Sequence, residues 1–223
     1  MGTVHAHAQK TDIVVVGGGP AGLAAAIAVR LRGLQVTVVD AARPPLDKAC
    51  GEGLMPDALA ALERLGIRLT PAYGAPFTGI RFVAGARSVE AHFPHGPGLG
   101  VRRRLLHQRL IERAQEVGVS LCWGSPVRTL TPDIRYGDGQ RIAYRWLIAA
   151  DGIHSTLRRK MGLQQLTMAR RRVGFQRHYR VPPWSACVEL YWHQRGQACV
   201  TPVAPDEVCV KPRRRVALPC NQL

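Results

Sequence analysis

No apolar run in this 223-residue chain approaches the ~20 residues that a membrane-spanning helix needs. The longest helical candidate, Ala21 to Val29, is closed by Arg30. The first ten residues lack the apolar stretch of a secretory signal. A soluble, cytoplasmic protein is the expectation. The six cysteines include no CxxC pair, which leaves neither a zinc ribbon nor a disulfide framework to propose from spacing. The eight histidines include no HxxxH or HExxH, and no metal site is predicted. His154, His178 and His193 are the histidines placed to line a site, and none has a pattern that assigns it a catalytic role. Acids are also few: 15 Asp and Glu against 31 Lys and Arg, a formal charge of +16. That excess suits a nucleic acid, an anionic cofactor or substrate, or an arginine-rich genome, and charge alone does not choose. The arginine triplets at Arg102 to Arg104, Arg170 to Arg172 and Arg213 to Arg215 lack the interleaved aromatics of a nucleic-acid platform, so no nucleic-acid partner is expected.

With 46% hydrophobic residues the chain can bury a core of one large domain or two small ones. Asp12 to Val16 is a short β-branched run that breaks into Gly17-Gly18-Gly19-Pro20-Ala21-Gly22 before an Ala/Leu-rich stretch to Arg32. Gly33 ends that stretch, and Gln35 to Val39 is a second strand finishing at Asp40. The first forty residues therefore read as a βαβ unit with a parallel sheet. Pro56 to Leu65 and Arg103 to Val117 have helical apolar spacing, the latter through Leu106, Leu110, Ala114 and Val117. Tyr136 to Gly139 is a turn between two strand-like segments, the second running from Ile142 to Ala150. Val173 to Val210 alternates and is rich in aromatics, as a further β layer would be.

The chemistry begins at Gly17-x-Gly19-x-x-Gly22. Gly17 permits the tight turn, Gly19 leaves room for a pyrophosphate, and Gly22 lets helix and strand approach; Ala21 lies in the first helical turn that faces the phosphate. Asp40, at the end of the second strand, is placed to accept both hydroxyl protons of an adenosine ribose and would repel a 2′-phosphate. FAD or NAD is the cofactor these residues allow.

Three later segments resemble a known family. Asp151-Gly-Ile-His-Ser-Thr-Leu-Arg158 is similar to the second fingerprint of flavoprotein aromatic hydroxylases. Lys48-Ala-Cys-Gly-Glu-Gly-Leu54 resembles the KxCGxGL loop near the flavin in geranylgeranyl-reductase-like proteins. Arg102-Arg-Arg-Leu-Leu-His-Gln-Arg-Leu110 is similar to that superfamily's arginine-led helix start.

The resemblance implies an α/β, Rossmann-like FAD-binding fold with an interleaved, incomplete β-rich substrate domain. It implies FAD contacts at Gly17, Gly19, Ala21, Gly22, Asp40, Lys48, Gly51, Glu52, Gly53, Arg103 and, second to it, Arg102. It adds Asp151, Gly152 and Ser155, with Val127 beside adenine. Asp151 can serve a flavin hydroxyl or organise nearby amides, Glu52 hydrogen-bonds or tunes the ring, and Cys50 is a small packed residue. The implied boundaries are 10–172 for the FAD domain, with an inserted segment at about 68–100, then 173–210 for a partial substrate domain and 211–223 for an irregular basic tail. NAD(P)H is the implied reductant and a small organic molecule the substrate, hydroxylated or reduced at an alkene. Full members carry a Gly-Asp motif later in the chain, and none follows Val210 here. A truncated chain is thus expected, with an exposed sheet edge open to self-association; a remnant that binds nucleotide or a partner without turnover is the alternative.

Overall fold

In the computed structural model, residues 9–129, 133–163, 172–194 and 196–215 are described. The fold is α/β and divides into two compact units, residues 1–46 with 106–165 and residues 47–105 with 166–223.

The first unit is built on a four-stranded parallel sheet. Ile13–Val16 is flanked by Val36–Asp40 on one side and Trp146–Ala149 on the other, and Ser120–Trp123 pairs beyond Val36–Asp40. All four residues of Ile13–Val16 are buried, as expected for a central strand covered on both faces. The helix Pro20–Arg30 starts with proline at its first turn, where a missing N–H costs nothing, and buries Gly22, Leu23, Ala26 and Ile27. Val14, Val16 and Val39 pack with Ile134, Tyr136, Ile142 and Leu157 into one apolar cluster. Three of those come from an antiparallel meander, Val127–Thr129, Ile134–Tyr136 and Gln140–Ala143. The segment expected as one strand from Ile142 to Ala150 is instead two. Gln140–Ala143 pairs within the meander and Trp146–Ala149 joins the parallel sheet beside Ile13–Val16. The Arg145 and Trp146 amides both reach the Asp12 carbonyl at 3.0 Å, so the chain changes sheets at the bend between them.

In the second unit a mostly antiparallel sheet carries Arg87–His92, Gly79–Ala84, Cys187–His193, Gly196–Ala204 and Glu207–Arg215 in spatial order; the pair Gly79–Ala84 and Cys187–His193 is parallel. Arg172–Gly174 and Arg177–Tyr179 both pair with Glu207–Arg215. A small sheet of Gly53–Leu54, Gly98–Gly100 and Ala75–Phe77 lies against Gly196–Ala204. There a Cβ on Gly100 would sit 1.6 Å from the Pro202 carbonyl oxygen, so only glycine permits the approach.

Two sequence-based boundaries shift. The second unit begins at Asp47, not near residue 68, because Gly53–Leu54 pairs with Gly98–Gly100 and draws the Lys48 to Leu54 loop into it. Lys211 to Arg215, expected to be irregular, continue the strand Glu207–Arg215. Composition gave no hint of a strand there, but ladder partners on both sides satisfy its backbone. Pro212, which lacks a donor, falls at the break between the two short partner strands. Residues 216–223 lie outside the described residues. Among the described residues no helix is long and apolar enough to cross a membrane.

Candidate functional site

In the first unit the glycine turn joins Ile13–Val16 to Pro20–Arg30. Gly17 has φ of 113°, and a Cβ there would lie 2.2 Å from the Ala150 carbonyl oxygen. A Cβ on Gly22 would lie 1.8 Å from the Gly17 carbonyl oxygen, which is the close helix–strand approach the pattern predicts. Gly19 differs from both: a Cβ there would meet no atom within 4 Å. It is also the N-cap of the helix, and no side chain caps that end. Unclaimed N–H groups and the positive end of the helix therefore face open space, a fit for a pyrophosphate.

Asp40 ends its strand as expected, and its carboxylate also braces the turn. Oδ2 accepts from the Gly18 amide at 2.6 Å and Oδ1 from the Ala42 amide at 2.8 Å. From the other side, Nε2 of His107 is 2.8 Å from the Gly18 carbonyl oxygen. His107 is 2% exposed and stands edge-on to Trp123, whose ring lies where a Gly18 Cβ would go. Sequence reasoning passed over His107, although its position on one helix face with Leu110 and Ala114 was available as a signal of burial.

Asp151 follows the strand Trp146–Ala149 and serves the short helix Thr156–Lys160. It accepts from the Ser155 hydroxyl and from the amides of Thr156, at 2.8 Å, and Leu157, at 3.2 Å. Burial pushes its pKa up, but these donors outweigh burial and hold it below the ordinary carboxylate range. Of the two roles proposed for Asp151, organising nearby amides is the one occupied. Ser155 is buried as the N-cap and accepts from the Arg158 amide at 2.9 Å, which commits its hydroxyl to the fold. Gly152 has φ of 84° and open space at its Cβ position. Val127 packs against the apolar cluster, and Ala21 is exposed in the first helical turn.

In the second unit Glu52 is the centre of a buried hydrogen-bonded cluster. It is 5% exposed, has φ of 57°, and turns its carboxylate into the protein. Oε1 accepts from the Arg103 amide at 2.8 Å and from Gln176 Nε2 at 2.7 Å; Oε2 is 2.7 Å from His178 Nε2. The Cys209 Sγ lies within 4.8 Å of the same carboxylate. Burial first, then the Glu52 charge, push that thiol far above its ordinary range. The Glu52 carboxylate, expected to hydrogen-bond or tune the ring, also holds the Arg103 amide, Gln176 and His178, which are distant in sequence. The neighbouring backbone is fixed as well. The Cys50 amide donates to Gln176 Oε1 at 2.7 Å, the Gly51 carbonyl accepts from Thr201 Oγ1 at 2.7 Å, and Gly53 pairs with Gly100. Lys48 is exposed.

The two arginines at the helix start have different fates. Arg102 forms a forked ion pair with Glu207, with Nε to Oε2 at 2.8 Å. Arg103, the preferred phosphate ligand, has a buried Nε with no hydrogen-bond partner among the described residues. Gln176, Cys209 and Glu207 carry no motif in the sequence; only pairing of the late strands brings them to Glu52 and Arg102.

A family described as FAD binding domain matches residues 10–215. Over 165 residues the chain is 38% identical to a menaquinone reductase of Mycolicibacterium smegmatis, an alignment taking in 69% of this chain and 40% of that protein. It is 30% identical over 158 residues to a rifampicin monooxygenase of Rhodococcus hoagii, covering 67% and 33% of the two chains. The solved structure of a geranylgeranyl bacteriochlorophyll reductase-like protein from Thermoplasma acidophilum superposes with a TM-score of 0.76 at 22% identity, over 93% of this chain and 56% of that one. That likeness shows the Rossmann-type flavoprotein fold. The chain thus spans well under half the length of both curated relatives.

Proposed function

The chain belongs to the FAD-binding domain family, and on that premise we propose that it is the FAD-holding part of an NAD(P)H-linked oxidoreductase that acts on a small organic molecule. The observation that carries the reading is the uncapped helix end at Gly19, open where a pyrophosphate needs room, between two glycines that tolerate no side chain.

In this reading Gly19, Ala21 and Gly22 receive the pyrophosphate through backbone N–H groups, while Gly17, whose own amide donates to the Val39 carbonyl at 2.9 Å, makes the turn that brings them there. Asp40 keeps lone pairs for the adenosine ribose beyond the two amides it already holds. Val127 offers an apolar contact for adenine. Asp151, Gly152 and Ser155 form a rigid turn whose backbone lies beside the ligand, and the family resemblance of the Lys48 to Leu54 loop is what supports Lys48, Gly51, Glu52 and Gly53 as cofactor residues. Arg103 supplies the cation, its buried Nε being unpaired, and Arg102 is secondary because Glu207 already neutralises it. FAD, when bound, supplies the hydride and electron chemistry that side chains lack. What the chain's own residues do is bind and orient.

The reaction favoured is reduction of a quinone or alkene, supported by the 38% identity to a menaquinone reductase and by the Lys48 to Leu54 resemblance. Hydroxylation is the second reading, supported by the monooxygenase relative. The test is an absorption spectrum of the purified chain with FAD, followed by NADH or NADPH without and with oxygen. Stoichiometric flavin that bleaches with reductant is the expected result. Folded protein that takes up no flavin would overturn the reading, and bound flavin that neither nucleotide bleaches would leave a binding remnant without turnover.

A further inference from the structure

Beyond the cofactor reading, we propose that Cys209, His178 and Glu52 form a binding site for a single divalent transition-metal ion of the zinc type. Three donor atoms, a sulfur, an imidazole nitrogen and a carboxylate oxygen, lie within 4.8 Å of one another. They come from three segments: the loop before Gly53–Leu54 and the paired strands Arg177–Tyr179 and Glu207–Arg215. In that pairing His178 stands directly opposite Cys209, which places both side chains on one face, toward Glu52.

The donor set suits the ion. Thiolate, imidazole and carboxylate together bind zinc and cobalt well and magnesium or calcium poorly. Tetrahedral zinc, with bonds of about 2.0–2.3 Å, needs its ligand atoms about 3.3–3.6 Å apart. The 2.7 Å contact between His178 and Glu52 must therefore open by roughly half an ångström, within the reach of a small side-chain rotation. On metal binding the Cys209 thiol would release its proton to solvent, and His178 would bind through Nε2 as a neutral imidazole with its proton on Nδ1. Charge then balances: a thiolate and a carboxylate offset a dication, where the metal-free cluster keeps a buried carboxylate.

The supporting shell is already built. Glu52 Oε1 is held by Gln176 and by the Arg103 amide, which fixes the carboxylate and leaves Oε2 to the site. Glu52 and Cys209 are buried, and the His178 side chain is 22% exposed, which provides an entry path and a fourth position for water.

The test uses the full chain without FAD, stripped with a chelator and kept reduced with a phosphine, then titrated with cobalt(II). One equivalent should produce a thiolate-to-cobalt charge-transfer band and tetrahedral visible bands, and zinc should displace both. Cys209→Ser should abolish the charge-transfer band, Gln176→Ala should weaken binding roughly 10- to 100-fold, and Cys122→Ser, in the first unit, should change nothing. X-ray absorption of the zinc-loaded wild-type chain, showing one sulfur among light-atom ligands, keeps the proposal testable if a variant fails to fold. Folded wild-type protein with no thiolate band, or a band that survives Cys209→Ser, would overturn it.

Discussion

Gly19→Ala and Gly22→Ala separate the two tasks of the glycine turn. Gly19 has φ of −75° and ψ of 178°, an extended conformation open to any residue, and free space at its Cβ position. Restricting the unfolded chain stabilises such a site by about 0.4–1 kcal/mol. Loss of a better N-cap residue costs a comparable amount, about 0.5–1 kcal/mol. The net effect on folding is about zero, yet the added methyl group projects where the pyrophosphate would pass. Gly22 is the reverse case. Its new Cβ would stand 1.8 Å from the Gly17 carbonyl oxygen, so helix and strand must separate by more than an ångström. Overpacking of this kind costs about 3 kcal/mol, from which roughly 1 kcal/mol of helix propensity is recovered. Urea unfolding without FAD should therefore find Gly19→Ala like wild type and Gly22→Ala destabilised by about 2 kcal/mol. Quenching of flavin fluorescence should show binding lost in Gly19→Ala despite its intact stability. Equal FAD affinity in wild type and Gly19→Ala would refute the phosphate route over Gly19, and unchanged stability in Gly22→Ala would refute the packing argument.

His107→Leu strands the Gly18 carbonyl without its buried partner and should cost about 1–3 kcal/mol in urea unfolding, with weaker FAD binding because the turn loosens. Asp151→Ala removes the acceptor for the Thr156 and Leu157 amides and should cost about 0.5–2 kcal/mol at neutral pH. Because the folded-state pKa of Asp151 is lowered, its contribution is complete above the ordinary carboxylate value of 3.8 and disappears as pH falls through the folded value. The gap between wild type and Asp151→Ala should thus close in acid; a constant gap would contradict the assignment. Tyr136 is the alkaline counterpart: burial and the neighbouring Cys122 push its pKa up from 10.0 to about 12. Since the folded state keeps the phenol proton that the unfolded chain loses, stability should fall as pH rises from 10 to about 12, and Tyr136→Phe should lack that loss.

Much of the first unit was legible from sequence because its signals are local. A β-branched strand, a glycine turn and an Ala-rich helix announce themselves within forty residues, and Asp40 follows from where the second strand ends. The turn at Asp151 was legible for the same reason, down to the helix it opens. The second unit was far less so, since its elements are short and their partners distant. Glu52 stood out through its loop, but the Gln176 and His178 side chains that meet its carboxylate lie more than 120 residues further on and carry no local mark of that contact. Lys211 to Arg215 lacked every local mark of a strand and became one through neighbours on either side. The break after Ala143 was hidden because Ile142 to Ala150 reads as one apolar run, while the alternative sheets that split it lie elsewhere in the chain.

The position of Ile13–Val16 in its sheet has a consequence for how the chain comes to be folded. Synthesised before both of its neighbours, it acquires Val36–Asp40 early, but its other neighbour is Trp146–Ala149, separated from it by the whole of residues 47–105 and more. Until that partner emerges, one ladder of its backbone groups has nothing to bond to. Closure of the central sheet is therefore a late, long-range event, of the kind that makes folding slow. An apolar strand with one open side is in the meantime a template for pairing with other chains. Yield from dilute refolding, or from cells with added chaperone capacity, should be set by this interval more than by the stability of the finished sheet.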